Sequence, residues 1–151
     1  MPSVLTRHAS NSAKILLVDD NRDGVVARRS VLEELGYTVV SANCGLEALK
    51  TAAEQNFDLI ITDFKMEPMN GLQLIAKLRE QDFQNPIILL TGFADSLGLR
   101  TEDTGANVVI QKSANEISNL LRYTRRLLQP PRKPARSQGS RSKTRSSISE
   151  P

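Results

Sequence analysis

The chain holds one histidine, one cysteine and no tryptophan, and each scarcity removes a class of chemistry. A lone Cys44 excludes an internal disulfide framework and any multi-cysteine metal site. At the head of an expected helix it reads as a packing residue, in keeping with the burial habit of free thiols. His8 stands in a polar lead-in segment, so catalysis by an imidazole positioned in the core is not expected. No stretch approaches the roughly 18 apolar residues of a membrane span. Met1 to Ala13 lacks the apolar h-region of a secretory signal, so a cytoplasmic protein with no membrane partner is expected. With aromatics at 4%, aliphatic side chains must fill most of the core.

A length of 151 residues suits one domain with a real core. The net charge of +3 is unevenly placed: from Pro130 onward six cations (Arg132, Lys133, Arg136, Arg141, Lys143, Arg145) face Glu150, which puts +5 in that tail and leaves −2 for the rest. The basic character therefore belongs to the tail. Six cations in such a segment attract polyanions, but no aromatics interleave with them for base stacking, so no specific nucleic-acid partner is expected. Pro, Ser, Arg and Gly with only Ile148 as a large aliphatic cannot bury enough surface to offset ordering entropy. The expected organisation is a flexible leader over 1–13, one domain over 14–129 and a disordered basic tail over 130–151.

Within the domain, short runs rich in Val, Ile and Leu recur: Ile15 to Val18, Leu59 to Ile61, Ile87 to Leu90 and Val108 to Ile110, as in strands buried on both faces. Tyr37 to Ala42 alternates weakly and reads as a further strand. Helices are expected over about 22–35, with Val25, Val31, Leu32 and Leu35 as the buried stripe, and 44–55. A third begins at Gly71, with Leu72, Ile75 and Leu78 inward and Leu74 on a neighbouring face. Between 94 and 104, Gly98, Thr101 and Thr104 are poor helix formers, so a short or frayed fourth helix is expected. Ser113 with Glu116 fits a capping box for the last helix, which Pro130-Pro131 ends. The result is an α/β fold, a doubly wound (βα)5 parallel sheet with the flavodoxin-like strand order 2-1-3-4-5.

Each apolar run stops at a polar residue: Asp19 and Asp20, Asp63, Thr91 and Lys112. Parallel strands share one direction, so these residues converge on the sheet edge where such folds bind ligands. Clustered carboxylates repel and need a cation; hard oxygen ligands without His or Cys favour Mg2+ or Mn2+. A lysine and a hydroxyl on the same edge suit an anion, and together the set describes a phosphoryl site. Each residue also has a plain alternative: Asp19 and Asp20 as caps of the first helix, Asp63 as a turn former, Thr91 as an ordinary strand residue and Lys112 as a solvated lysine. The ordered set outweighs these alternatives.

Ile15-Leu16-Leu17-Val18-Asp19-Asp20-Asn21, then Leu59-Ile60-Ile61-Thr62-Asp63 with Met66, Pro68, Met69 and Gly71, then Leu90-Thr91-Gly92, and finally Lys112, resemble the receiver domain of two-component response regulators over about residues 14 to 128. The resemblance implies that Asp63 is the phosphoacceptor, taking a phosphoryl group from the phosphohistidine of a sensor histidine kinase or a histidine phosphotransfer protein, or from a small acyl phosphate. It implies that Asp20 and Asp63 bind Mg2+ directly, that Asp19 acts largely through water, and that the Lys65 backbone carbonyl is a further ligand. Lys112 and Thr91 would contact the phosphoryl oxygens, a charge-neutralising role that phosphoryl transfer needs. Such a protein is a phosphoacceptor that assists its own phosphorylation and dephosphorylation, not an enzyme acting on other substrates. A stand-alone receiver signalling through a downstream protein is the leading expectation.

The chain departs from the family pattern at four places. Pro68 comes one position late, with Glu67 before it. Ser113 follows Lys112 where a proline usually sets a cis bond, so a trans or strained path is expected at Lys112-Ser113. Val109 replaces an aromatic switch residue; Phe93 could partly substitute, although core packing is the favoured reading of Phe93, and the segment from Thr91 to Lys112 is about one residue short. These changes leave the phosphorylation chemistry in place and point to an altered output, with activation confined to the loops and the fourth helix. Lys65 and Phe93 occupy positions that influence water access to an acyl phosphate, and a bulky Phe93 would slow hydrolysis. The alternative function is a phosphorylation-independent pseudo-receiver acting as an interaction module. An aspartate-nucleophile phosphatase is disfavoured because Lys65 stands where such enzymes need an acid.

Overall fold

The computed structural model describes residues 12–92 and 100–129. The leader through Asn11, with His8, the residue Phe93 and the basic tail from Pro130 lie outside them. Strands β1 (Lys14–Val18), β2 (Thr38–Ala42), β3 (Leu59–Asp63), β4 (Ile87–Thr91) and β5 (Val108–Gln111) alternate with helices α1 (Arg22–Glu34), α2 (Gly45–Glu54), α3 (Gly71–Glu80), α4 (Thr101–Thr104) and α5 (Glu116–Leu128). Every strand pair is parallel and the order is β2-β1-β3-β4-β5, as expected.

The continuous apolar runs are explained by burial on both faces. Side chains alternate across a strand, so each run feeds two cores. Ile15, Leu17, Leu59, Ile61, Ile88 and Leu90 pack with Leu32 of α1 and Leu120 of α5 on one face. Leu16, Val18, Ile60, Ile87 and Leu89 pack with Ala48 of α2 and Leu74, Ile75 and Leu78 of α3 on the other. Right-handed crossovers require this division: the chain steps from β1 outward to β2, then back past β1 to β3, so the helices change face at that reversal. The carboxyl ends of β1 and β3 flank the switch point, where ligands bind in open α/β sheets.

Local differences from expectation have physical causes. In α3 the 3.6-residue period selects Gly71, Leu74, Ile75 and Leu78 for burial, whereas the three-residue spacing of Leu72, Ile75 and Leu78 drifts off the face; Leu72 is only partly buried. Of the four stripe residues expected in α1, only Leu32 is fully buried, and Arg28 shares its inner face. The fourth helix is the single turn α4, ended by Gly105 in the left-handed region (φ 81°). The capping box lies at α3 and not at α5. Asn70 Oδ1 accepts from the Gln73 N–H, and Gln73 Oε1 accepts from the Asn70 N–H, both at 2.9 Å. At α5 the N-cap is Asn115, the Glu116 N–H donates to the Ser113 carbonyl (3.1 Å), and the Glu116 carboxylate is engaged elsewhere.

Candidate functional site

Asp19 is the first residue beyond β1, held at the sheet edge by its N–H bond to the Ala42 carbonyl (3.1 Å) at the end of β2. Asp20 follows and is exposed. Asp63 is the last residue of β3, next to β1 in the sheet. The topology thus gathers the three carboxylates, and one oxygen from each lies within 4.8 Å of the others. Asn21, not an aspartate, caps α1: its side chain accepts from the Gly24 N–H at 2.9 Å. The carboxylates are therefore not serving as the helix cap, and Asp20 is left facing an open cleft with Arg22, Asn43 and Glu47.

Asp63 is 4% exposed, and burial, joined by the negative charge of Asp19, raises its pKa above the ordinary carboxylate value. Lys112 and Arg28 oppose that rise. The Lys112 ammonium pairs with Asp63 Oδ1. Its backbone N–H donates to the Thr91 carbonyl at 2.7 Å, which fixes the base of the side chain beside β4. Among the described residues the cis peptide bond is Glu67-Pro68, so Lys112-Ser113 runs trans, and the lysine nonetheless reaches the carboxylate. Thr91 Oγ1 is buried with no hydrogen-bond partner among the described residues, one strand over from Asp63. A buried hydroxyl left without a partner is costly unless a ligand group meets it.

Arg28 was not anticipated. Its guanidinium Nη1 donates to Asp19 Oδ2 at 2.6 Å, and its Nε donates to Glu116 Oε2 at 2.5 Å. Burial alone would lower the guanidinium pKa, but the bonds and charges of Glu116 and Asp19 outweigh it and raise it. Asp19 Oδ1 accepts from the Asn21 N–H at 3.0 Å, so both oxygens of Asp19 have protein donors. The available signal was positional: Arg28 is three residues from Val25 and four from Leu32, a charge on an otherwise apolar stripe.

The donor set suits a small hard cation: three carboxylates within 4.8 Å and no nitrogen or sulfur ligand. Asp20 and the Asp63 oxygen not paired with Lys112 could hold it directly, whereas Asp19, with both oxygens engaged, fits a role through water. Lys65 follows in an exposed position, on a loop closed by the Gly71 N–H bond to the Phe64 carbonyl (2.8 Å). Val109 is partly buried and packs against the α2/α3-side core.

Comparison with known proteins agrees with this geometry. Residues 15–123 match the family model of the response regulator receiver domain. The chain is 35% identical over 116 residues to the transcriptional regulatory protein YkoG of Bacillus subtilis, covering 76% of this chain and 50% of that protein. It is 37% identical over 119 residues to the CAI-1 autoinducer sensor kinase/phosphatase CqsS of Vibrio cholerae, covering 76% of this chain and 17% of that one. The chain spans half or less of the length of the curated relatives it matches. Among solved structures it resembles the response regulator TrrA of Thermotoga maritima, determined in complex with Mg2+ and BeF (TM-score 0.69, 31% identity, 76% of this chain and 98% of that chain). It also resembles the receiver domain of the sensor histidine kinase PA1611 of Pseudomonas aeruginosa, which has a magnesium ion in its active-site cleft (TM-score 0.69, 29% identity, 78% and 98%).

Proposed function

Because this chain belongs to the response regulator receiver domain family, we propose that Asp63 accepts a phosphoryl group from the phosphohistidine of a sensor histidine kinase or a histidine phosphotransfer protein, in Mg2+-dependent phosphorelay signalling. The carrying observation is the surrounding of Asp63: a buried carboxylate at a strand end, an ammonium on one oxygen and two more carboxylates close by. An Asp63 carboxylate oxygen forms the new O–P bond as the P–N bond breaks, and the imidazole leaves with the electron pair. Lys112 would exchange its contact with Asp63 Oδ1 for a phosphoryl oxygen, and the unpartnered Thr91 hydroxyl would donate to another. Asp20, Asp63 and the Lys65 carbonyl would hold Mg2+, with Asp19 acting through water. The bound cation would supply further positive charge for the phosphoryl oxygens.

The protein would assist its own phosphorylation and dephosphorylation without turning over another substrate. It would pass its output to a partner protein; no helix among the described residues is long and apolar enough to cross a membrane. The test is 19F NMR of beryllofluoride binding with and without Mg2+, on the wild type and on Asp63→Asn. Binding that needs Mg2+ and disappears in Asp63→Asn supports the proposal. A folded wild type that binds none overturns it in favour of the phosphorylation-independent module.

A further inference from the structure

Arg28 lies between the acidic cluster and the start of α5, which no local sequence rule connects. Its side chain is 8% exposed and bonds Asp19 in the acidic cluster on one side and Glu116, in the first turn of α5, on the other. The partners are nine and 88 residues away in sequence. Space for the guanidinium is built in at Gly24: a Cβ there would lie 2.8 Å from Arg28 Nη1, which would have to shift, and 3.0 Å from Asp19 Oδ2, a tight contact that would crowd the carboxylate.

Three carboxylates with Lys112 and Arg28 beside them form a pocket whose negative charge is largely compensated before any cation arrives. Glu116 in turn neutralises part of the Arg28 charge from outside the pocket. Charges a few ångströms apart in a buried site interact strongly, so changing either one changes the attraction for a divalent ion. Nη1 and Nε belong to one rigid guanidinium, so a shift of Arg28 on Asp19 also moves its bond to Glu116, the first residue of α5.

We propose that Arg28 is a positioning residue, an internal counter-cation that orients Asp19 and links divalent-cation binding in the acidic pocket to the seating of α5 through Glu116. This rests on the metal site proposed above. Linkage is reciprocal, so the effect is readable from the metal side.

The test is titration of the purified protein with Mg2+, followed by 1H–15N NMR, on the wild type, Arg28→Leu, Glu116→Gln and Gly24→Ala. Arg28→Leu removes a cation from the pocket and places an aliphatic chain on an apolar stripe; it is expected to tighten Mg2+ binding roughly five- to tenfold. Glu116→Gln leaves the Arg28 charge less compensated and is expected to weaken Mg2+ severalfold. Gly24→Ala keeps every charge, crowds Arg28 off Asp19, and is expected to move in the direction of Arg28→Leu. In the wild type the amides of 116–120 shift with Mg2+, and in Arg28→Leu they do not. If Arg28→Leu fails to fold, the opposite signs of Glu116→Gln and Gly24→Ala carry the same test. Affinities within twofold of the wild type, or changes of one sign throughout, overturn the proposal while leaving the metal site standing. A wild type that binds no Mg2+ overturns both.

Discussion

Lys112 reaches Asp63 across the carboxyl end of β4, although the strands that bring them there are not neighbours. Gln111 pairs with Thr91 in register, and the Lys112 N–H bond to the Thr91 carbonyl extends that pairing by one residue beyond β5. From there the long side chain spans the intervening strand end and places its ammonium on the buried carboxylate. The trans Lys112-Ser113 bond does not prevent this, so the missing proline changes the path of the loop without removing the ammonium from the site.

Replacing Lys112 separates two properties of the pocket. Lys112→Ala removes a cation that competes with any metal and also removes a donor for phosphoryl oxygens. Mg2+ binding is expected to tighten severalfold by NMR titration, while beryllofluoride signals at wild-type saturating concentration vanish. Loss of both would place Lys112 among the residues needed for folding. Retention of both would leave the ion pair without a role.

Asp63 is held in a surrounding that disfavours its charge. Its native pKa is raised by burial, so the folded protein holds that proton more tightly than the unfolded chain. Stability contributed by the neutral form is therefore present at low pH and declines as pH rises from the ordinary value near 3.9 through the raised native one. Asp63→Asn is expected to stabilise the metal-free protein at pH 7 and to lose that advantage once the pH falls below the ordinary carboxylate range, where the wild-type carboxyl is neutral in both states. Thermal unfolding at several pH values checks this. Added Mg2+ should raise the wild-type Tm and leave that of Asp63→Asn nearly unchanged.

The fold was legible because its central strands β1, β3 and β4 are buried on both faces and carry unbroken aliphatic runs, and the acidic cluster was legible because these runs end at the same sheet edge. What escaped was decided by tertiary contact. Ser113 and Glu116 have capping-box spacing, but Glu116 meets Arg28, a charge-assisted bond from a residue 88 positions away that no local rule anticipates. Arg28 occupies a position on the α1 stripe that periodicity alone assigns to an apolar residue. Leu74 is buried with Ile75 and Leu78 because the helix turns every 3.6 residues and not every three. The effect proposed for Phe93 falls outside the described residues.

Two glycines near the site should respond differently to an added methyl. At Gly71 a Cβ would overlap the Asp63 carbonyl oxygen and lie 2.9 Å from Phe64 Cα, both backbone atoms that cannot rotate away. Gly71→Ala is expected to destabilise by about 3 kcal/mol and to disturb the end of β3. At Gly45 the obstacle is the Met69 side chain alone, whose Sδ would lie 2.6 Å and whose Cβ and Cγ would lie 3.1 Å from the added Cβ, and which can rotate to yield. Gly45→Ala should therefore cost about 1 kcal/mol or less. Urea unfolding compares the two, and equal losses would contradict the distinction between backbone and side-chain obstruction.

The opposite edge of the sheet depends on a different arginine. Arg79, in the last turn of α3, donates from Nη1 to the carbonyls of Phe83 (2.7 Å) and Asn85 (3.0 Å), and from Nη2 to the Gly105 carbonyl (3.0 Å) and Asn107 Oδ1 (3.1 Å). Asn107 Oδ1 also accepts from the Ile87 N–H at 2.9 Å, so this one side chain ties the entries to β4 and β5 together. Burial lowers its pKa, but a guanidinium stays charged at any pH where the protein is folded. Arg79→Met keeps much of the aliphatic stem and deletes the donors, leaving several carbonyls to find water; a loss of about 2–3 kcal/mol is expected. Arg79→Lys should recover little, because one ammonium cannot reproduce the planar fork that reaches both loops. Since these bonds lie at the amino ends of the strands, away from Asp63, Mg2+ affinity should stay within twofold of the wild type in both variants. A larger change would show that strain at the entries to β4 and β5 passes along the strands to Thr91 and Lys112.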